Sequence, residues 1–85
     1  MILHIVKARY IDGYRIGVLF NDGNSGVVDL DDADLFNGPI FKPLKELSFF
    51  KDFIVDPELN TLVWKNGADL APEYIASRLL VKHRQ

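Results

Sequence analysis

Apolar side chains recur along this sequence at two different intervals, and the change of interval separates strands from helices. Between Asp12-Gly13 and Asp22-Gly23, the residues Tyr14, Ile16, Val18 and Phe20 alternate with Arg15, Gly17 and Leu19. A period of two puts the first set on one face of a β-strand and the second set on the other. The first face is wholly apolar and is expected to meet the core. The second is mixed and is expected to lie nearer water. Asp-Gly dipeptides suit the positive φ of tight hairpin turns, so a partner strand is expected on each side. Leu3 to Tyr10 supplies the first, and Ser25 to Leu30 the second, with Val28 and Leu30 inward. The simplest arrangement is a three-stranded antiparallel meander.

Beyond Leu30 the pattern shortens and changes period. Asp31-Asp32-Ala33-Asp34 predicts a short helical turn, its acids complementing the partial positive charge of a helix start. Asn37-Gly38-Pro39 ends it. A second short helix is expected over Lys42 to Leu47, with Pro43 in its first turn and Phe41, Leu44 and Leu47 as its apolar stripe. The second half of Phe49 to Asp56 reads as a strand, ended by Asp56-Pro57. Thr61-Leu62-Val63-Trp64 is dense in β-formers and completes a second hairpin. Asn66-Gly67 then turns the chain towards a C-terminal helix over residues 71–82. Pro72 fits its first turn, and Asp69 is its expected N-cap. Ala71, Ile75 and Leu79 form a stripe to lie on the sheet, with Tyr74 beside them. The fold class is therefore α+β: about five antiparallel strands, one or two short helices, and a C-terminal helix packed on the sheet. Residues 1–85 form one domain.

Composition sharpens this in three ways. First, 48% of the 85 residues are apolar, including six Phe, three Tyr and one Trp, which favours a packed core over disorder. The core of so short a chain is thin, which admits self-association as a homodimer. Second, there is no cysteine, so disulfides and thiolate metal sites are excluded. Third, the net charge is −2, which gives no global electrostatic drive towards nucleic acid or an anionic membrane. Met1 to Lys7 reads as a first strand rather than a signal peptide, and no run approaches the roughly 20 apolar residues of a membrane helix. A cytoplasmic location is the default expectation.

No catalytic or metal-binding pattern fits these residues. An EF-hand loop from Asp29 would place Ala33, Asp34 and Ile40 where Asp or Asn, Gly and Glu are required, and one from Asp22 fails at Gly26. Ser25, Ser48, Thr61 and Ser77 have no local base, and neither His4 nor His83 sits in a motif. No glycine pattern forms a phosphate loop. No enzyme, cofactor or metal is expected. Arg78, Lys82, His83 and Arg84 make the C-terminal end basic, which suits a helix C-terminus or, alternatively, a nucleic-acid contact.

The segment from Trp64 to Pro72 has the most pointed chemistry. Its structural reading has Trp64 packing, Asn66-Gly67 turning and Asp69 capping. Its functional reading makes the same turn a recognition surface. Trp64, Asn66, Asp69 and the neighbouring Tyr74 are the candidate partner-binding residues.

These residues also carry a resemblance. Trp64, Asn66-Gly67-Ala68-Asp69 and Leu70-Ala71-Pro72 resemble the C-terminal signature of a small, mostly bacterial domain-of-unknown-function family, number 2442. Tyr14, Ile16, Val18, Phe20, Asp22-Gly23, Val28-Asp29-Leu30, Gly38-Pro39, Phe41, Leu44, Phe53, Val55-Asp56 and Thr61 are similar as well. The resemblance implies a curved antiparallel sheet with helices against it. It carries over no catalytic residue. Relatives encoded beside a second small protein, in arrangements resembling toxin–antitoxin pairs, imply a protein-binding role. The leading expectation is thus a non-enzymatic interaction module, antitoxin-like or regulatory, whose partner is another small protein. It would dock on a sheet edge or near Trp64 and Asp69. A nucleic-acid-binding accessory domain using the basic C-terminal end is the second expectation. A small ligand-binding protein or enzyme is the third.

Overall fold

The alternation of Ile16, Val18 and Phe20 is realised in strand β2 (Arg15–Phe20), where all three side chains are buried. The computed structural model describes residues 2–80. Strand β2 is central in an antiparallel sheet, with β1 (Ile5–Asp12) on one side and β3 (Ser25–Asp29) on the other. The hairpins close through Gly13 and Gly23, whose φ angles of 48° and 90° are left-handed and cost a glycine little. Ile16 lies between Tyr10 and Val28, and Val18 beside Ala8, so one face gathers the apolar residues of all three strands. Strand β1 carries an irregularity between Ile5 and Lys7 and another between Tyr10 and Asp12. Such bulges bend a strand and increase its twist.

Tyr14 sits in the first turn rather than in β2, yet its ring still faces the core. It lies 5.1 Å from the ring of Phe36 and 5.1 Å from that of Phe50, and its hydroxyl donates to the Lys45 carbonyl.

The second hairpin comprises β4 (Ile54–Asp56) and β5 (Thr61–Val63), which make a separate two-stranded sheet. The five expected strands therefore divide three and two. The turn between β4 and β5 is held by Asp56, whose Oδ1 accepts from the N–H groups of Glu58 and Leu59 at 2.8 and 3.0 Å. Asn60 follows with φ 57°, a conformation that asparagine tolerates better than most residues. The Ile5 N–H donates to the Asn60 carbonyl at 2.9 Å and ties the two sheets together.

Short helices bridge the sheets. Helix α1 (Ala33–Phe36) begins at Asp32, whose Oδ1 accepts from the N–H groups of Asp34 and Leu35. A 3-10 helix spans Lys42–Lys45 with Pro43 in its first turn, and α2 spans Leu47–Phe50. The single helix expected over Lys42 to Leu47 is thus broken at Glu46, whose backbone is extended. Phe49 and Phe50, which precede the expected strand, are helical. This conformation delivers Phe50 into the core, where it is 0% exposed.

Helix α3 covers Pro72–Ser77, shorter than the expected 71–82, of which residues 81 and 82 lie outside the described part. Its early end has a competing set of hydrogen bonds as its cause. The Asp29 N–H donates to the Arg78 carbonyl at 3.2 Å, and the Leu80 N–H donates to the Val27 carbonyl at 2.9 Å. Val28 and Leu79 form an antiparallel bridge. The backbone after Ser77 therefore satisfies the outer edge of β3 instead of extending the helix. Asp69 is not the N-cap of α3. Ala71 holds that position with no side-chain bond, while Asp69 bridges Val63 through the backbone. Within the expected stripe Ile75 is buried and Leu79 half-buried, and Ala71 is exposed. All the large buried side chains meet on the inner face of the meander, and no described residue covers its outer face.

Candidate functional site

The structure separates the four candidate residues of the C-terminal turn. Trp64 is 2% exposed, and its Nε1–H donates to the Phe50 carbonyl at 2.7 Å. Its ring lies 5.9 Å from that of Phe50 and 6.2 Å from that of Phe53. A side chain so placed holds α2 against β5 and offers nothing to a partner. Asn66 is exposed, but both ends of its amide are used. Its Nδ2 donates to the Ile40 carbonyl at 2.8 Å, and its Oδ1 accepts from the Ala68 N–H at 3.1 Å. Asp69 is exposed. Tyr74 is half-buried, and its hydroxyl donates to Asp32 Oδ2 at 2.8 Å, joining α3 to the cap of α1. That bond, with the two backbone donors, holds the Asp32 carboxyl below its usual range. Burial, followed by the same bond, pushes the Tyr74 phenol up to about 12. Trp64, Asn66 and Tyr74 are thus tied into the fold, while Asp69 is exposed.

The basic C-terminal end is described only as far as Leu80, so Lys82, His83 and Arg84 lie outside the described residues. Arg78 is committed to the fold: its Nε donates to the Asp29 carbonyl at 2.9 Å and its Nη2 to the Asp31 carbonyl at 3.3 Å. Beside it lies a shallow depression of about 370 Å3 lined by Asp29, Asp31 and residues 77–80. Its one guanidinium is already bonded to protein. Among the described residues, no group of three or more His, Asp or Glu side chains could hold a metal ion.

The open face of the meander has a different character. The register puts Lys7 beside Leu19 and Leu19 beside Ser25, then Arg9 beside Gly17 and Gly17 beside Val27. Paired residues share a face, so all six point away from the core. None of them is buried: Lys7, Arg9 and Ser25 are exposed, and Gly17, Leu19 and Val27 are half-buried. Lys7, Arg9, Gly17, Leu19 and Val27, together with Ile11, line a groove of about 480 Å3 formed by the three strands of the meander.

Gly17 forms its floor, at the middle of the central strand. Its φ is not left-handed, so the backbone does not require glycine there. Space does not require it either. A Cβ at position 17 would meet Ile11 Cδ1 at 3.5 Å and the Arg9 carbonyl oxygen at 3.7 Å, both ordinary contacts. A glycine inside a strand weakens it by roughly 0.5–1 kcal/mol relative to alanine. Strand glycines often mark a bulge, a tight bend or a close approach by a ligand or another backbone, and Gly17 lies at no bulge.

Electrostatics distinguish the two rims. At the hairpin end, Arg15 forms a two-pronged pair with Asp12 at 2.7 and 2.8 Å, which raises the pKa of its guanidinium. Lys7 and Arg9 on β1 make no ion pair among the described residues. The alternation in β2 had already separated Arg15, Gly17 and Leu19 from the apolar face. The glycine within that strand was the signal that could have singled this surface out.

Comparison with known proteins adds a family and no activity. Residues 5–79 match a family model described as a protein of unknown function, DUF2442. No curated protein and no solved structure matches the chain.

Proposed function

Because the chain belongs to the DUF2442 family, whose description assigns no activity, we propose a function from the geometry: a non-enzymatic protein-interaction module that docks a partner on the open face of its meander. One observation carries the reading. The central strand keeps Gly17 at the floor of an apolar groove that no described residue covers, where the fold alone would be served better by a side chain. An antitoxin-like or regulatory role beside another small protein agrees with this reading, as does a cytoplasmic setting. No helix among the described residues is long and apolar enough to cross a membrane. The face also speaks against a stacking platform for nucleic acid, since Phe20 is buried, Tyr10 and Tyr14 pack on the core, and no aromatic ring is among the groove residues.

The test is affinity capture of the tagged chain and of its Leu19→Lys/Val27→Lys variant from native lysate. Folding of the variant is checked by the fluorescence of Trp64, the chain's one tryptophan. The expected result is one stoichiometric protein held by the parent chain and lost by the folded variant. Retention of that protein by the variant would remove the open face from the account.

A further inference from the structure

The chemistry of the open face also restricts the kind of partner that fits it. This step rests on the docking reading above. The peptide groups of β1, β2 and β3 are paired within the plane of the sheet and offer few bonds to anything lying on its face. A single segment covering that face must therefore satisfy its own backbone, which a helix does and a lone extended strand does not. A strand would add at a sheet edge instead, and the β3 edge is already occupied by Arg78 to Leu80.

Dimensions agree. Strands β1 and β3 flank β2 at a spacing of about 4.8 Å each, so the outer rims are about 10 Å apart. That is close to the diameter of a helix, about 10–12 Å with side chains. A helix lying along β2 would rest over Gly17, with Ile11, Leu19 and Val27 against its apolar stripe.

Charge then selects among helices. Lys7 and Arg9 stand on the β1 rim two residues apart, which is about 6.7 Å along a strand. Positions i and i+4 of a helix are about 6 Å apart along its axis. The opposite rim carries Ser25, Val27 and Asp29 and no cation. A second copy of this chain, docked face to face about a two-fold axis across the strands, would bring Lys7 and Arg9 towards their own copies, and like charges facing each other disfavour that arrangement. Docked about an axis along β2, it would set Lys7 over Ser25 and Arg9 over Val27, which offer the cations no carboxylate.

We infer that the open face of the meander binds an amphipathic helix of a partner protein carrying carboxylates four residues apart along one flank of its apolar stripe. The patch is smaller than the roughly 800 Å2 per partner of a standard interface, so one helix alone binds weakly and reversibly.

The test uses the full chain, labelled with nitrogen-15, and two synthetic helical peptides with the same leucine stripe. One carries Glu at i and i+4 on a flank, and the other carries Lys there. The expected result is that the Glu peptide shifts the amides of Lys7, Arg9, Gly17 and Leu19 and binds about tenfold more tightly than the Lys peptide at low salt, a preference that shrinks at high salt. In the Lys7→Glu/Arg9→Glu variant, whose changes are at exposed positions, the preference reverses. Equal binding of both peptides, or a preference unchanged in the variant, overturns the acidic-helix inference and leaves docking on this face standing. Shifts confined to another surface, or none with either peptide, also overturn it. Tighter binding of a thymidine 12-mer at the same amides overturns it in favour of nucleic acid.

Discussion

Gly17→Ala should make this protein more stable. Alanine at a strand-interior position that glycine does not need gains roughly 0.4–1 kcal/mol, chiefly by restricting the unfolded chain. The native state has room for the methyl group. Its nearest neighbours would be Ile11 Cδ1 at 3.5 Å and the Arg9 carbonyl oxygen at 3.7 Å, so no strain offsets the gain. For a domain of this size, about 0.7 kcal/mol raises Tm by roughly 3–6 °C. At an m-value of about 1 kcal/mol/M it moves the urea midpoint up by ~0.7 M. Trp64 reports the transition directly, because it is buried between Phe50 and Phe53 and is the chain's only tryptophan. The same substitution raises the groove floor, and Gly17→Val raises it further. Partner binding should therefore weaken in the order glycine, alanine, valine as stability holds or rises. A lower urea midpoint for Gly17→Ala would show that the sheet itself needs the glycine. A raised midpoint with unchanged partner binding would refute the functional half of the argument.

Two further substitutions probe the interior. Trp64→Phe removes the donor to the Phe50 carbonyl and leaves that oxygen unpaired in the core; a loss of about 2–3 kcal/mol is expected in calorimetry or urea unfolding, with partner binding at the open face unchanged. Tyr74→Phe cuts the bond to Asp32 and should cost about 1 kcal/mol near neutral pH. It should also remove two pH dependences. The Tyr74 phenol is raised from 10.0 to about 12, so the stability it contributes is whole below pH 10 and is lost as pH rises towards 12. The Asp32 carboxyl is lowered, so its contribution is whole above its unfolded value near 4 and is lost as pH falls below that. An ultraviolet pH titration should show a tyrosine step near 12 that disappears in Tyr74→Phe.

The parts of the fold legible in the sequence are those set by local chemistry. The alternation in β2 needs only its own side chains, the turns at Gly13 and Gly23 need only positive φ, and the cap at Asp32 needs only a carboxylate beside free N–H groups. The illegible parts are decided by distant partners. The sequence predicts no element over Phe49-Phe50, and the core under Tyr14 and Trp64 draws Phe50 into a helix. Helix α3 ends early because the unpaired edge of β3 competes for the backbone after Ser77. The sequence favours Trp64 as a core post over a contact residue, and its burial and bond to the Phe50 carbonyl at 2.7 Å place it in the core. The open face was half legible: its residues follow from the β2 alternation, while its pairing with Lys7 and Arg9 depends on a register shifted by the β1 bulges.

The central claim, that a partner occupies the open face, is tested most directly by site-specific photocrosslinking in native lysate. A photoreactive residue would replace Ser25, exposed beside Leu19 on that face, or Ser48, exposed on α2. A single protein adduct from position 25 and none from position 48 is the predicted result. An adduct from position 48 with none from position 25 would contradict the account.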